Sequence, residues 1–284
     1  MKSVAAIRHV ALDMDGTIYK GGTLFDFTVP FLSLLKQLGI GHTFLTNNSS
    51  KSVEDYVKHL RQLGVPASSQ DIFTSTDSTI LYLRETFPQH QRLFVLGTDS
   101  LVAHFTSNGY TVLPDDLEPE LVIVGFHTSL PYAQLCKACW WISRGVPYVA
   151  THPDLICPTD LPTVLVDCGA VCACIESATG HKPTAVLGKP DHRMLSGIMR
   201  RHGLQAHELA MAGDRIYTDV TMSVHSGTFG VLVLTGEATV EDARKADVQP
   251  DLVVPSLREF GEMLAQARSA QPNQPRTVAA KESH

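Results

Sequence analysis

Residues 9–17 read HVALDMDGT, an apolar run of strand length that ends in two aspartates and a glycine. In an extended segment alternate side chains point the same way, so Asp13 and Asp15 share one side, while Gly16 lets the chain turn. Two close carboxylates repel unless a cation intervenes, which suits one nucleophile and one acid-base group. Taken alone, the motif is equally compatible with an ordinary Asp-Gly turn.

Outside this stretch, apolar runs of strand length alternate with amphipathic helical segments. The alternation predicts an α/β fold with an open, doubly wound parallel sheet that helices cover on both faces. Near Pro88 the pattern starts again and indicates a second α/β unit, with strands at 92–96 and 121–124. Strands of the first sheet are predicted at 9–12, 41–45, 71–75, 184–187, 208–212, 228–234 and 252–254.

The second unit is therefore an insertion into a discontinuous core. We predict a core of residues 1–80 and 184–267, an inserted unit of residues 81–183, and a disordered tail of residues 268–284, because periodicity is lost from about residue 266.

Composition narrows the classes of function. The 284 residues are 44% apolar and 18% charged, which is typical of a folded protein. A net charge of -6 without a stripe of Lys and Arg disfavours nucleic-acid polymers as partners. The first apolar stretch is too short to span a bilayer, so we expect no membrane association and a cytoplasmic protein.

The six cysteines fit free thiols, and Cys136 and Cys139 lie in a helical pattern that disfavours zinc.

Three more motifs follow predicted strands, where ligands bind in open parallel sheets. Residues 46–50 read TNNSS and offer hydroxyl and amide donors before a helix, as a phosphate requires. Lys189 lies between Gly188 and Pro190 and could neutralise an oxyanion. Residues 213–219 read GDRIYTD and supply hard oxygen ligands that would favour magnesium. Each motif also has an ordinary explanation, as a helix cap, a solvated lysine or a turn aspartate.

Together, in this order, the four motifs resemble the haloacid dehalogenase (HAD) superfamily of phosphatases over residues 7–262. The position of the insertion resembles the NagD and 4-nitrophenylphosphatase-like branch, as do THPDLICPTD at 151–160, GHKPTAVLGKPD at 180–191 and GDRIYTD. The resemblance implies a Rossmann-like HAD core with an inserted α/β cap. It also implies hydrolysis of a small phosphorylated metabolite.

The roles of individual residues are carried over from the family pattern. Asp13 would be the nucleophile that forms a phospho-aspartyl intermediate, and Asp15 the general acid and base. Mg²⁺ would be bound by Asp13, Asp214 and the main-chain carbonyl of Asp15, while Asp219 would orient Lys189 or a metal-bound water. The residues implied in phosphate binding are Thr46, Asn47, Asn48 and Lys189.

Two positions depart from that pattern. Where many relatives have a small Gly-rich loop, this chain has Val166-Asp167-Cys168-Gly169-Ala170, so Asp167 and Cys168 become candidates for contacting the leaving group. Asp167 as a mere helix cap is at least as well supported. His152 stands where relatives often have Asn, and we expect a structural role for it.

Other functions stay open at this level. A phosphotransferase would use the same residues and differ in whether the cap excludes water. A non-catalytic phosphometabolite-binding protein could retain the fold. Carbon–halogen hydrolysis is disfavoured, because its leaving group needs no proton from Asp15. The substrate is open among nucleotides, sugar phosphates, glycerol phosphates and pyridoxal phosphate, and exposed cap surface could support a homodimer.

Overall fold

The computed structural model describes residues 2–157 and 163–270 and shows two parallel sheets with helices packed on them. The strands are β1 His9–Asp13, β2 Tyr19–Lys20, β3 Thr23–Leu24, β4 Gly41–Thr46, β5 Ile72–Thr74, β6 Arg92–Leu96, β7 Thr111–Val112, β8 Leu121–Val124, β9 Tyr148–Ala150, β10 Ile156–Cys157, β11 Leu165–Val166, β12 Ala185–Val186, β13 Leu209–Gly213, β14 Phe229–Val233 and β15 Leu252–Val254. The α-helices are α1 Thr28–Gln37, α2 Val53–Gln62, α3 Ser75–Thr86, α4 Asp99–Ser107, α5 Tyr132–Ser143, α6 Cys168–Thr179, α7 Arg193–His202, α8 Thr221–Ser226, α9 Val240–Lys245 and α10 Leu257–Ser269.

The first sheet has the strand order β15-β14-β13-β1-β4-β5, and every pair in it is parallel. β1 is central because its apolar side chains are buried on both faces, with Val10 and Leu12 in one core cluster and Ala11 in another. His9 pairs with Leu209 on one side and Gly41 on the other. This position brings the end of β1, which carries Asp13, to the middle of the sheet edge.

The second sheet has the order β12-β9-β8-β6-β7 and is also parallel. Helices α5 and α6 pack on one face, and α3 and α4 on the other. The predicted fold class, a doubly wound α/β core with an inserted α/β unit, is confirmed. No helix in the described ranges is long and apolar enough to cross a membrane.

One detail of the predicted organisation is wrong. The run at 184–187 was expected to complete the first sheet, but Ala185–Val186 pairs with Tyr148–Ala150 in the second. A short apolar run fits either sheet locally, and its partner is decided by tertiary contacts. Helix α10 ends at Ser269, residues 271–284 of the predicted tail lie outside the described ranges, and the tail stays a prediction. The boundaries at residues 80–81 and 183–184 stay predictions.

Several helices begin at strand ends with capping boxes, which fixes where the intervening loops run. Ser52 and Asp55 exchange hydrogen bonds at the start of α2, and Thr74 and Asp77 do the same at the start of α3. Both helices therefore begin at defined points after β4 and β5. The loop between β4 and α2, residues 47–51, is thereby held at the edge of the first sheet.

Candidate active site

The two aspartates of the first motif both face one cavity of about 500 Å³. Asp13 is the last residue of β1, Met14 beside it is buried, and Asp15 is exposed and accepts a hydrogen bond from Gly21 N at 3.1 Å. Gly16 turns the chain with φ of 85°, and a Cβ there would lie 2.5 Å from Asp214 Oδ2. Only glycine fits this close approach, so the turn and the carboxylate behind it depend on each other.

Lys189 brings a buried ammonium group into the cluster of acids. Its Nζ forms an ion pair with Asp13 Oδ1 and another with Asp219 Oδ1 at 2.9 Å. Burial alone would lower the pKa of Lys189, but the charges of Asp13 and Asp219 outweigh it and the pKa is raised. The lysine is therefore held charged.

Asp13, Asp214 and Asp219 form a cluster in which one carboxylate oxygen of each residue lies within 4.8 Å of the other two. Burial raises the pKa of Asp214, and the charges of Asp13 and Asp219 raise it further. Glu237 N donates to Asp214 Oδ2 at 2.7 Å, whereas the buried Oδ1 has no partner among the residues that the structure describes. The ammonium of Lys189 pairs with Asp13 and Asp219 but not with Asp214, so the donor set fits a further cation, and hard oxygen atoms suit magnesium.

The loop after β4 is held by its own side chains. Asn47 Oδ1 accepts from Lys189 N at 2.6 Å, and its Nδ2 donates to Lys189 O at 3.0 Å and Asp154 Oδ2 at 3.1 Å. Thr46 Oγ1 accepts from Asn48 N at 3.2 Å, while Asn48 Oδ1 accepts from Ser50 N at 2.9 Å. The Asn47 side chain is thus occupied inside the protein and clamps the backbone of Lys189, whereas half-buried Asn48 lines the cavity.

The cap side of the cavity is acidic. Asp167 lines it and also caps α6, since its Oδ1 accepts from Cys168 N at 2.6 Å. Both expectations for Asp167 are therefore compatible with one geometry. Cys168 is fully buried, donates from Sγ to Val124 O at 3.2 Å, and is not among the residues that line the cavity, which gives no support to a contact with substrate.

Three residues that the sequence analysis did not single out line the same cavity. Asp154 accepts from Asn47, Arg215 Nε lies 3.1 Å from Glu237 Oε2, and Thr218 Oγ1 is buried with no partner in residues 2–157 and 163–270. Asp154 closely follows β9, so assigning that strand would have identified it. Arg215 and Thr218 lie inside the GDRIYTD motif, next to the two aspartates already chosen.

Family models match two stretches of the chain. One described as haloacid dehalogenase-like hydrolase matches residues 10–111, and one described as HAD-hydrolase-like matches residues 186–260. A 4-nitrophenylphosphatase from Thermotoga maritima is 37% identical, with a TM-score of 0.86 over 91% of this chain and 98% of that chain. The chain belongs to the HAD superfamily.

Two other relatives of this HAD phosphatase cover nearly its whole length. An acid sugar phosphatase from Staphylococcus aureus is 29% identical over 255 residues, 90% of this chain and 96% of that protein. A glycerol phosphate phosphatase from Mycobacterium tuberculosis, solved in complex with magnesium, is 28% identical with a TM-score of 0.84, over 92% of this chain and 78% of that chain. The predicted branch, NagD and the 4-nitrophenylphosphatases, is confirmed.

Proposed function

We propose that this chain hydrolyses a small phosphomonoester in a magnesium-dependent reaction, through a phospho-aspartyl intermediate on Asp13. The observation that carries the proposal is the cluster of Asp13, Asp214 and Asp219 around the ammonium of Lys189, beside an open cavity. Relatives named as phosphatases for sugar phosphate, glycerol phosphate and 4-nitrophenyl phosphate support the same class of substrate.

In the first half of the reaction, a carboxylate oxygen of Asp13 attacks the phosphorus atom in line with the leaving oxygen. The bond between phosphorus and that oxygen breaks, and Asp15 donates the proton that the leaving alkoxide requires. Asp15 suits this role because it is exposed to the cavity and lies outside the carboxylate cluster, where it can exchange protons with solvent.

In the second half, Asp15 takes a proton from a water molecule as that water attacks the phosphorus atom. The acyl phosphate bond breaks, and Asp13 is regenerated together with inorganic phosphate. Lys189 offsets negative charge on the phosphoryl oxygens throughout, and Asp219 keeps its ammonium aimed at Asp13.

Magnesium would be held by Asp13 and Asp214, with the main-chain carbonyl of Asp15 as a further ligand. When bound, it would neutralise charge on the phosphoryl group. The unpartnered Oδ1 of Asp214 is the atom of this chain that most requires such a cation. Phosphate binding would further involve the Thr46 hydroxyl and backbone N–H groups of the loop, because the Asn47 side chain is already bonded to Lys189.

The proposal is tested by phosphate release from 4-nitrophenyl phosphate and from a panel of sugar, glycerol, nucleoside and pyridoxal phosphates, with magnesium and with EDTA. We expect turnover that magnesium restores after EDTA. Acid quenching during turnover of a radiolabelled substrate should trap labelled protein that hydroxylamine releases. Binding without phosphate release would instead indicate a non-catalytic protein, and transfer of phosphate to an added alcohol in place of water would indicate a phosphotransferase.

A further inference from the structure

A continuous chain of hydrogen bonds runs through four buried side chains behind the cavity. Asp167 Oδ1 lies 2.8 Å from His152 Nε2, and His152 Nδ1 lies 2.8 Å from Thr151 Oγ1. Thr151 Oγ1 lies 3.1 Å from Ser49 Oγ. None of the four residues is more than 3% exposed, so this hydrogen-bond network is shielded from solvent along its length.

The two ends of this hydrogen-bond network, Asp167 and Ser49, lie at different parts of the site. Asp167 lines the cavity on the cap side, where the leaving group would lie. Ser49 belongs to the loop after β4 and accepts from the backbone N–H of Phe126 at 3.0 Å, which follows β8 of the second sheet. His152 therefore links the wall of the cap to the loop that would hold phosphate.

Donors and acceptors along the chain match when His152 is an imidazolium. Nε2–H then donates to Asp167, Nδ1–H donates to Thr151, and the Thr151 hydroxyl donates to Ser49. Burial alone would lower the pKa of His152, but neighbouring groups, among them the hydrogen-bonded Asp167 carboxylate, outweigh burial and raise the pKa. Nε2 therefore carries a proton towards Asp167, and the charge of that carboxylate favours the doubly protonated ring.

His152 also lies against the backbone that carries the catalytic lysine. A Cβ on Gly188 would come 2.7 Å from the Cβ of His152, so the two segments are in close contact. Polar atoms of His152, Asp154 and Asp167 lie within 4.8 Å of one another, and Asp154 accepts from the Asn47 side chain. Two links from the loop, through Asn47 and through Ser49, thus converge on the acidic wall.

We infer that His152 is a positioning residue for substrate selection: it fixes the Asp167 carboxylate at a set distance from the phosphate-binding loop. A leaving group with hydroxyl groups could then donate to Asp167 while its phosphate meets Lys189. The inference rests on the proposed function, because it assigns the leaving group to the Asp167 side of the cavity. His152 itself takes no part in bond breaking.

A matched pair of variants separates the two hydrogen bonds of the ring. His152→Gln places a donor where Nε2 was and can retain the bond to Asp167. His152→Asn retains an atom near the position of Nδ1 but is too short to reach Asp167. If His152 has only a structural role, the two variants should rank substrates alike. If it positions Asp167, their substrate rankings should differ.

The measurement is the ratio of kcat/KM for glycerol phosphate or a sugar phosphate to kcat/KM for 4-nitrophenyl phosphate, whose aryl leaving group carries no hydroxyl. In His152→Asn the ratio should fall by about tenfold to 100-fold, mainly through KM, as expected when hydrogen-bond donors lose their partner. In His152→Gln it should fall by less than about threefold. Adding His152→Asn to Asp167→Asn should lower it no further, because the histidine acts through Asp167.

Equal ratios in the two variants, or losses that multiply in the double variant, would overturn the inference. An independent readout is the ¹⁵N NMR spectrum of histidine-labelled protein at neutral pH. The signals of one ring with both nitrogens protonated should disappear from the spectrum of His152→Asn and shift in that of Asp167→Asn. Signals of a neutral His152 ring that Asp167→Asn leaves unchanged would also contradict the inference. If the wild-type protein hydrolyses no phosphomonoester, the proposed function fails, yet these ring signals still show whether His152 holds Asp167.

Discussion

The Nζ of Lys189 lies 2.9 Å from Asp219 Oδ1, although the two residues follow strands of different sheets. Lys189 comes after β12 of the second sheet, and Asp219 lies in the π-helical turn Ile216–Val220 after β13 of the first. The same ammonium also pairs with Asp13. These ion pairs therefore join the two α/β units at the candidate active site.

Replacing Lys189 by Met should destabilise the protein by about 3–5 kcal/mol without divalent cations, because buried Asp219 and half-buried Asp13 lose their partner. Magnesium should restore part of this loss, since it can offset the same charges. Urea denaturation with EDTA and with magnesium measures both effects. Lys182→Met is a suitable control, since Lys182 is exposed and pairs with Glu176 at 3.5 Å. A loss that magnesium does not change would argue against a cation between these carboxylates.

Asp13→Asn should abolish turnover and leave the protein folded, since an amide cannot attack phosphorus and is a poorer ligand for a cation. Phosphate release and circular dichroism measure the two properties. Asp26→Asn is the matched control, because Asp26 is exposed and pairs with Arg258 at 3.0 Å. Near-normal activity in purified Asp13→Asn would remove this residue from the role of nucleophile.

Asp15→Asn should slow turnover by about 10²–10⁴-fold, the usual contribution of a positioned acid or base. The loss should be smaller for aryl phosphates than for alkyl phosphates, because a phenolate leaves without needing a proton. Comparing kcat for 4-nitrophenyl phosphate and glycerol phosphate tests this difference. Equal losses for the two substrates would indicate that Asp15 serves mainly to hold the metal site.

His9 should make the fold sensitive to acid. Burial, followed by the charges of His202 and His42, lowers the pKa of His9 from 6.5 to about 3, and its Nε2 lies 2.8 Å from Thr43 Oγ1. Because the unfolded chain binds the proton more readily, the contribution of His9 to stability is complete above pH 6.5 and is lost as the pH falls towards 3.

Between pH 7 and pH 5 this loss should be about 2 kcal/mol. Urea denaturation at the two pH values measures it. In His9→Gln the difference between the two free energies of unfolding should shrink by that amount, whereas the exposed His207→Gln should behave like the wild type. An unchanged difference in His9→Gln would show that His9 is protonated in the folded protein.

Most of the architecture could be predicted from the sequence because it is encoded locally. Apolar runs of strand length alternate with helical segments, and the restart near Pro88 marks the insertion. Elements of two residues, such as Tyr19–Lys20 and Thr23–Leu24, are too short to show a period. The membership of Ala185–Val186 in the second sheet depends on its pairing with β9, which no local pattern contains.

Part of the candidate active site could likewise be predicted from the sequence, and part could not. Asp13, Lys189 and Asp214 could be chosen because each lies at or just after the end of a strand-like run. The occupation of the Asn47 side chain could not be foreseen, because both of its partners lie more than 100 residues away. Its role in clamping Lys189 depends on how the second sheet returns to the first.

The contacts of Ser49 bear on the engineering of chimeric enzymes. Its hydroxyl is bonded to Phe126 N and Thr151 Oγ1, and the Ser50 carbonyl accepts from Thr98 Oγ1 at 2.9 Å. A cap transplanted from a relative would leave these polar groups unsatisfied unless it supplied matching donors and acceptors, and each buried group left without a partner costs about 1–3 kcal/mol. Exchange of specificity between such enzymes therefore requires moving residues 49–50 together with the three loops that they bind.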